Sequence, residues 1–401
     1  MKIGIIREGK TPPDARVPLT PAQCAHTRTA YEVDLTVQPA PGRCYRDVEY
    51  ADAGIPLQED LRDRELLLGV KEVPILDLLP DKTYCFFSHT IKKQPYNRNL
   101  LRAVLANRIR LIDYEVLTDE RGRRLIAFGR FAGMVGAHNA LWTYGMRTGA
   151  YALPRMKDLH DYAAARRVYE TLQLPPLKII ITGTGRVGSG AAEVLRDMGI
   201  RQVPPQHLLE RDYDEAVFAV LRVKHYVGRD DGADFEIRDY YRDPRGYHST
   251  FAPYYRRADI MINGIYWDRR APAFFTPAEM RRSDWNIAVI ADVTCDIAPV
   301  SSIPATLRPT TIAEPVFGYD PVQEAETLPY QDGVIDMMTI DNLPNELPRD
   351  ASQAFGEQFI EHILPEFFKP QSDILERATI ARAGHLGRYF QYLEDYVKDS
   401  V

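Results

Sequence analysis

Leu177-Lys178-Ile179-Ile180-Ile181-Thr182-Gly183-Thr184-Gly185-Arg186-Val187-Gly188 is a short apolar run that breaks on a glycine-rich turn, and a helical pattern from Ser189 to Met198 follows it until Gly199. This is strand, GxGxxG and helix in the order that a dinucleotide-binding βαβ unit requires. The first glycine permits the tight turn, the second lets the backbone approach a pyrophosphate, and the third lets helix and strand pack closely. The helix start then offers N–H donors and a positive dipole end to the anion. Gly183, Thr184, Gly185, Arg186, Val187 and Gly188 are therefore the candidate cofactor-binding residues. A purely structural turn, or another nucleotide ligand such as S-adenosylmethionine, is the alternative reading. The acid expected about 20 residues further on has two candidates, Glu210 and Asp212, beyond an irregular, proline-broken stretch at Gln202-Val203-Pro204-Pro205. Arg201, Arg211 or Arg222 would instead suit a 2′-phosphate, so NAD and NADP both stay open.

Upstream, three more apolar runs stop on ionisable residues. Leu66 to Val70 ends on Lys71-Glu72, Tyr84 to Phe87 on Ser88-His89, and Leu111-Ile112 on Asp113-Tyr114-Glu115. Such runs read as buried strands of a parallel sheet, whose carboxyl ends open onto the ligand crevice. Met1-Lys2-Ile3-Gly4-Ile5-Ile6-Arg7 reads as the first strand of the same sheet. Hydride transfer coupled to proton transfer needs a group that titrates near neutrality. His89 has that property unperturbed, and Lys71 acquires it when buried near other cations. Glu72 and Glu115 would tune both, while Ser88 and Asp113 read as scaffolding. Fixed positive charge for anionic substrates is available at Arg7, Arg16, Arg124 and Arg130, with Arg16 held in the proline-constrained loop Pro12 to Pro21.

A chain of 401 residues is too long for one core and suits two domains of about 150 to 200 residues. The expected fold is α/β, two Rossmann-like domains with parallel sheets separated by a cleft. Residues 1–140 with 345–401 form the substrate domain in this reading, and 141–344 the dinucleotide domain, with the charged, tyrosine-rich segment 210–255 as an insertion at its surface or in an oligomer contact. Phe131 to Tyr151 has helical spacing and suits a long connection. Helical spacing also runs from Ala351 to Phe368 and from Ile374 to Val397. A composition of 45% hydrophobic and 26% charged residues is that of a soluble globular protein. The net charge of -6, without a basic stripe, gives no reason to expect nucleic acid or an anionic membrane as partner. No run approaches a membrane span or a signal-peptide core, so a cytoplasmic protein is expected. Cys24, Cys44, Cys85 and Cys295 lack CxxC spacing and suggest neither a metal site nor a disulfide frame.

Several segments together carry a resemblance. Leu79 to Thr90, Arg110 to Glu115, Ala127-Phe128-Gly129-Arg130-Phe131-Ala132-Gly133, Thr182 to Val187, Ile262-Asn263-Gly264-Ile265-Tyr266-Trp267, Asp292-Val293-Thr294-Cys295-Asp296-Ile297 and Ile340-Asp341-Asn342-Leu343-Pro344 resemble the lysine-forming saccharopine dehydrogenases. They are most similar to the lysine–2-oxoglutarate reductase half of the bifunctional enzyme of lysine breakdown. The resemblance implies reductive condensation of lysine with 2-oxoglutarate to saccharopine, or its reverse, with NAD(H) or NADP(H) and no metal. It matches Lys71 and His89 to the family's catalytic pair, Glu72 and Glu115 to acids that tune it, and Arg16 and Arg124 to substrate-binding arginines. Asp292 and Asp296 fall in an acidic motif, and Asn263, Asp341 and Asn342 fall on the cofactor side. Asp341 and Asn342 either face the nicotinamide or cap a helix starting near Ala351. A chain that ends before the usual second, saccharopine-cleaving enzyme is expected to make saccharopine without splitting it. Asp14-Ala15-Arg16 departs from the reductases' more usual Glu-Arg-Arg, which leaves a different amine and keto acid open. A simple amino-acid dehydrogenase of the alanine dehydrogenase and transhydrogenase type is the second reading, and a nucleotide-binding protein without catalysis the third. Oligomeric state is not legible.

Overall fold

The computed structural model describes residues 1–398 and contains two compact units, one built from residues 1–128 with the segment from Pro348 onward, the other from Gly129–Leu347. In the first unit, strands β1 (Lys2–Ile5), β2 (Asp34–Val37), β3 (Leu66–Leu68), β4 (Thr83–Phe86) and β5 (Arg110–Asp113) lie parallel in the order β2-β1-β3-β4-β5. Their apolar residues are buried because a parallel sheet is covered on both faces. The register pairs Ile5 with Leu68, Leu68 with Cys85 and Cys85 with Ile112. All four carboxyl ends therefore finish level, and the ionisable residues that follow them share one edge.

The second unit is an eight-stranded sheet. The chain runs through β6 (Lys178–Thr182), β7 (Arg201–Gln202) and β8 (Val217–Leu221), then a two-stranded antiparallel ribbon of β9 (Val227–Arg229) and β10 (Tyr247–Ser249). It continues through β11 (Ile260–Asn263), β12 (Val289–Asp292), β13 (Val316–Asp320), β14 (Ala325–Thr327) and β15 (Ile335–Met338). The spatial order is β14-β13-β15-β12-β11-β6-β8-β7, with β13 antiparallel to both its neighbours, β14 and β15, and the remaining pairs parallel. Pro204 and Pro205 end β7 after two residues, since proline cannot donate to a sheet ladder. The chain returns as β8, which takes the place beside β6. Residues 210–255 are thus not only a surface elaboration: β8 is a core strand, and Tyr226, Phe251, Tyr254 and Tyr255 are buried in the same apolar cluster.

A 20-residue helix, Gly129–Thr148, begins the second unit and crosses the helix Arg186–Asp197 that follows the glycine turn. A Cβ at Gly133 would sit 1.9 Å from the Val187 carbonyl oxygen, and one at Gly190 would sit 2.0 Å from that of Arg130. Glycine at both positions is what allows the two backbones to touch.

Back in the first unit, the helix Pro348–His362 starts three residues before the expected Ala351. The expected helix from Ile374 to Val397 is instead a short helix Asp373–Ala378, a hairpin of β16 (Thr379–Arg382) and β17 (His385–Leu386), and a last turn Glu394–Lys398. Ala383 and Gly384 turn the hairpin with positive φ. β16 pairs antiparallel with β5 and buries Ile380 and Ala381 in the core, so the gain from covering the sheet edge overrides a helical spacing that local sequence alone supports. All four cysteines are free. No helix among the described residues is long and apolar enough to cross a membrane.

Candidate active site

The level carboxyl ends of β1, β3, β4 and β5 bring together most of the ionisable residues expected there. His89 follows β4 in a left-handed conformation, φ 54°. Its Nδ1 lies 3.2 Å from Glu115 Oε2, and its Nε2 lies 4.0 Å from Glu72 Oε1. The ring thus sits between two carboxylates at partial exposure. Glu115 is also 3.2 Å from Lys92 Nζ. Burial works against ionisation of Glu115, but the His89 hydrogen bond and the Lys92 charge prevail and hold its carboxyl down at about 2. Glu72 pairs with Lys10 Nζ at 3.0 Å.

Lys71 stands one residue before Glu72. Burial pushes its ammonium below the usual range, and the positive charges of Arg16 and Lys10 push in the same direction. These are the two conditions under which a lysine becomes a proton acceptor near neutral pH. Asp113 is fully buried and accepts hydrogen bonds from the Ser88 N–H at 3.1 Å, the Ser88 hydroxyl and the Glu115 N–H at 2.7 Å. Ser88 and Asp113 therefore brace the turns that carry His89 and Glu115, as scaffolding does.

Arg16 is 2% exposed and grips Asp14 in a bidentate pair, Nε to Oδ1 at 3.0 Å and Nη2 to Oδ2 at 2.6 Å, with its guanidinium 4.2 Å from the centre of the Phe128 ring. Arg124 lies over the Phe87 ring at 5.8 Å. Arg7 pairs with Glu59 at the surface.

Glu8 was not singled out by sequence. Its two carboxylate oxygens accept the backbone N–H groups of Val70 at 2.6 Å and Lys71 at 2.8 Å, and burial pushes its carboxyl up to about 8. The signal was present: the β1 run stops on Arg7-Glu8 as the other runs stop on their ionisable residues.

In the second unit the glycine turn has the geometry expected of it. Gly183 has φ 97°, and a Cβ there would lie 2.7 Å from the Gly264 carbonyl oxygen. A Cβ on Gly188 would meet the Gly183 carbonyl oxygen at 2.0 Å, whereas one on Gly185 would point into open space. Two glycines are thus fixed by packing, and the middle one leaves the side from which a pyrophosphate approaches uncovered. Thr184, Gly185 and Arg186 are exposed at that turn, with Val187 partly covered.

Behind the turn, Thr182 Oγ1 donates to Asn263 Oδ1 at 2.7 Å, and Asn263 Nδ2 donates to Asp292 Oδ1 at 2.8 Å and Ser302 Oγ at 3.1 Å. Asp292 also accepts from Thr306 Oγ1 at 2.6 Å and the Cys295 N–H at 3.1 Å. Asn263 and Asp292 are buried, and their side chains knit the ends of β6, β11 and β12 together. Asp296 is partly buried, which raises its carboxyl. Asp341 and Asn342 line a concavity of about 330 Å³ with Val293, Thr294 and Cys295. Asn342 opens a 3-10 turn, Leu343–Glu346, rather than the helix that begins at Pro348. Arg130 is engaged with Glu193, Nε to Oε2 at 2.8 Å.

Glu210 and Asp212 are not at the glycine-turn edge of the sheet. Asp212 pairs with Lys178, the first residue of β6, and with Arg257, which puts it at the opposite, amino end. No group of His, Cys, Asp and Glu suited to hold a metal ion occurs among the described residues.

Residues 4–135 match the family model "Alanine dehydrogenase/PNT, N-terminal domain". The chain is 31% identical over 434 aligned positions to the mitochondrial alpha-aminoadipic semialdehyde synthase of Mus musculus, an alignment that covers 95% of this chain and 46% of the mouse protein. It thus spans about half the length of that relative. It is 29% identical to the saccharopine dehydrogenase [NAD(+), L-lysine-forming] of Emericella nidulans, with 90% of each chain covered. Among solved structures, an L-alanine dehydrogenase superposes with a TM-score of 0.66 at 16% identity, over 99% of this chain and 100% of that one, and establishes the two-domain Rossmann-type fold. The homologues of this chain are therefore lysine-forming saccharopine dehydrogenases and one portion of the alpha-aminoadipic semialdehyde synthases, and its N-terminal part matches the alanine dehydrogenase/PNT N-terminal domain.

Proposed function

We propose that the chain is an oxidoreductase that interconverts L-lysine, 2-oxoglutarate, NAD(P)H and a proton with saccharopine, NAD(P)+ and water. The observation that carries the reading is the pair Lys71 and His89 on adjacent carboxyl ends of one sheet, flanked by Glu72 and Glu115. A glycine turn with the middle glycine open supports a dinucleotide, and the names of the relatives point to saccharopine as the compound handled. When bound, the nicotinamide would supply or accept the hydride at the former ketone carbon, which bears the secondary amine nitrogen in saccharopine.

Condensation requires several proton transfers: the ε-amine must be neutral to attack the ketone, the carbinolamine must lose water, and the amine formed must gain a proton. Lys71 Nζ, poised by burial and neighbouring cations, takes part in one set of these transfers. His89 serves the other, its ring oriented by the Nδ1 contact to Glu115, which leaves Nε2 toward Glu72 and the reacting groups. Arg16 and Arg124, both in the first unit, are the arginines proposed to receive the substrate carboxylates.

The test is a steady-state assay of NAD(P)H oxidation. Turnover that requires lysine and 2-oxoglutarate together supports the reading, and Lys71→Met should lower kcat/KM by about 10²- to 10⁴-fold. Turnover with pyruvate and ammonia instead would establish an alanine-dehydrogenase type of activity. Cofactor binding with no turnover on either pair would leave a non-catalytic nucleotide-binding protein.

A further inference from the structure

Arginines gather where the returning strand β16 meets β5. Arg110 begins β5, and Arg382 ends β16, which runs antiparallel to it. Both residues therefore stand at the amino edge of the first sheet, opposite the edge that carries Lys71, His89 and Glu115. They border a concavity of about 440 Å³ that Arg388 and Lys369 also line, a size suited to a small ligand. Two carboxylates, Glu366 and Glu376, face these four cations. Glu366 is buried and already engaged, accepting from Lys369 Nζ at 2.6 Å and from the Ser372 hydroxyl at 2.7 Å. Glu376 Oε2 lies 4.0 Å from Arg382 Nη1, a loose pair. Arg110 and Arg388 form no ion pair among the described residues.

Arg110 is half-buried, and its Nε and Nη2 reach only the Thr379 hydroxyl, each at 3.4 Å. Burial pushes its guanidinium below the usual range, the charge of Arg382 pushes the same way, and Glu376 opposes them more weakly. A guanidinium withdrawn from water needs an opposite charge to offset its lost hydration, yet the foremost charge acting on Arg110 is another cation. The chain as a whole carries a net charge of -6, so this local excess of cations does not follow from its composition. Guanidinium forks meet two oxygens of a carboxylate or phosphoryl group at once. We propose that this concavity is a second ligand site, separate from the catalytic edge, where Arg110, Arg382 and Arg388 hold a compact oxyanion of two or more negative charges. A phosphoryl group and a di- or tricarboxylate both have that chemistry. The bound anion joins β5 to β16 and the segment after it, and stabilises the first unit by mass action.

The test is calorimetry of the whole chain with sodium phosphate and, separately, sodium citrate, with sodium chloride at matched ionic strength as control and urea unfolding in each salt. The wild type is compared with Arg382→Ala, Arg388→Ala and Arg124→Ala. Arg382 and Arg388 are exposed, so the fold is expected to survive their loss, and circular dichroism checks every variant. At least one of the two anions should bind the wild type with a Kd of about 1 mM or below and raise the urea midpoint above that in chloride. Arg382→Ala and Arg388→Ala should each weaken that binding by about 10-fold or more, the worth of a charge-assisted hydrogen bond, and Arg124→Ala should leave it unchanged. Tighter phosphate identifies a phosphoryl ligand and tighter citrate a polycarboxylate, and either result supports the site. Binding of neither anion, or an equal effect of chloride, which is charge screening alone, would overturn the proposal. Binding that survives in Arg382→Ala and Arg388→Ala would overturn it too, and its loss in Arg124→Ala would then place the anion at the catalytic edge.

Discussion

Glu8 shows how much of the site rests on a residue that does not itself titrate in the usual range. Its carboxyl receives the two backbone N–H groups that lead into Lys71, so it fixes the end of β3 from which the lysine projects. Burial is the largest influence on it and raises its pKa from 4.5 to about 8, against the lowering effect of the Val70 hydrogen bond. Below pH 4.5 the carboxyl is protonated in the folded and unfolded chain alike. From there up to about 8 the unfolded chain releases its proton while the fold retains it, and each step in pH favours the unfolded state. Comparison of the wild type with Glu8→Gln by urea unfolding at pH 5 and pH 8.5 should therefore show the wild type losing stability relative to the variant as pH rises, on the order of 3 kcal/mol. A difference between the two proteins that does not change with pH would mean that Glu8 is ionised throughout. Glu115 has the opposite sign: held down at about 2, it contributes stability above pH 4.5 that is lost as pH falls toward 2.

The glycine turn is the element where packing and binding separate. Gly188→Ala would drive a methyl group to 2.0 Å from the Gly183 carbonyl oxygen, between β6 and the helix Arg186–Asp197. That backbone cannot yield without opening the strand–helix crossing, and the expected loss is about 3 kcal/mol or more in the unfolding free energy of the second unit. Gly185→Ala meets nothing within 4 Å; it should fold with stability close to the wild type and bind a dinucleotide at least about 10-fold more weakly, because the methyl group occupies the approach of the pyrophosphate. Urea unfolding and cofactor titration of the two variants separate these outcomes, and similar losses of stability for both would show that the turn is purely structural. This turn was legible in the sequence because each glycine has a local reason. Lys71, His89 and Glu115 were legible because strand ends are marked by where apolar runs stop. The partner strand was not. Counting about 20 residues past the turn lands on Glu210 and Asp212, but Pro204 and Pro205 send β7 to the sheet edge and give its place to β8, so the count ends at the wrong edge of the sheet. The hairpin of β16 and β17 was hidden for a similar reason: Ile380 and Ala381 answer to β5, more than 260 residues earlier, and not to their neighbours in sequence.

The whole chain differs between its units in how their connectivity closes. Gly129–Leu347 is one continuous stretch that contains its entire sheet, its glycine turn and the helix that packs on that turn. The first unit is discontinuous. β16 covers the edge of β5, Ser352 Oγ accepts the Val17 N–H at 2.9 Å, and the Gln353 carbonyl accepts from Gln23 Nε2 at 2.7 Å, all from residues beyond 347. Residues 129–347 expressed alone should therefore unfold in urea in one cooperative transition and bind the dinucleotide proposed for the glycine turn. Residues 1–128 alone lose β16 and the helix Pro348–His362, which leaves the β5 edge unpaired and the apolar face under Phe128 and Tyr114, now covered by Phe355 and Phe359, open to water. An unpaired strand edge beside exposed aromatic rings favours association between chains, so this piece should aggregate or show no cooperative transition. Joining 348–398 to 128 through a short flexible linker should restore one, because it returns β16 and the helix at high effective concentration. Cooperative unfolding of 1–128 without that segment would show that the five parallel strands suffice for the core and that the returning segment only covers it.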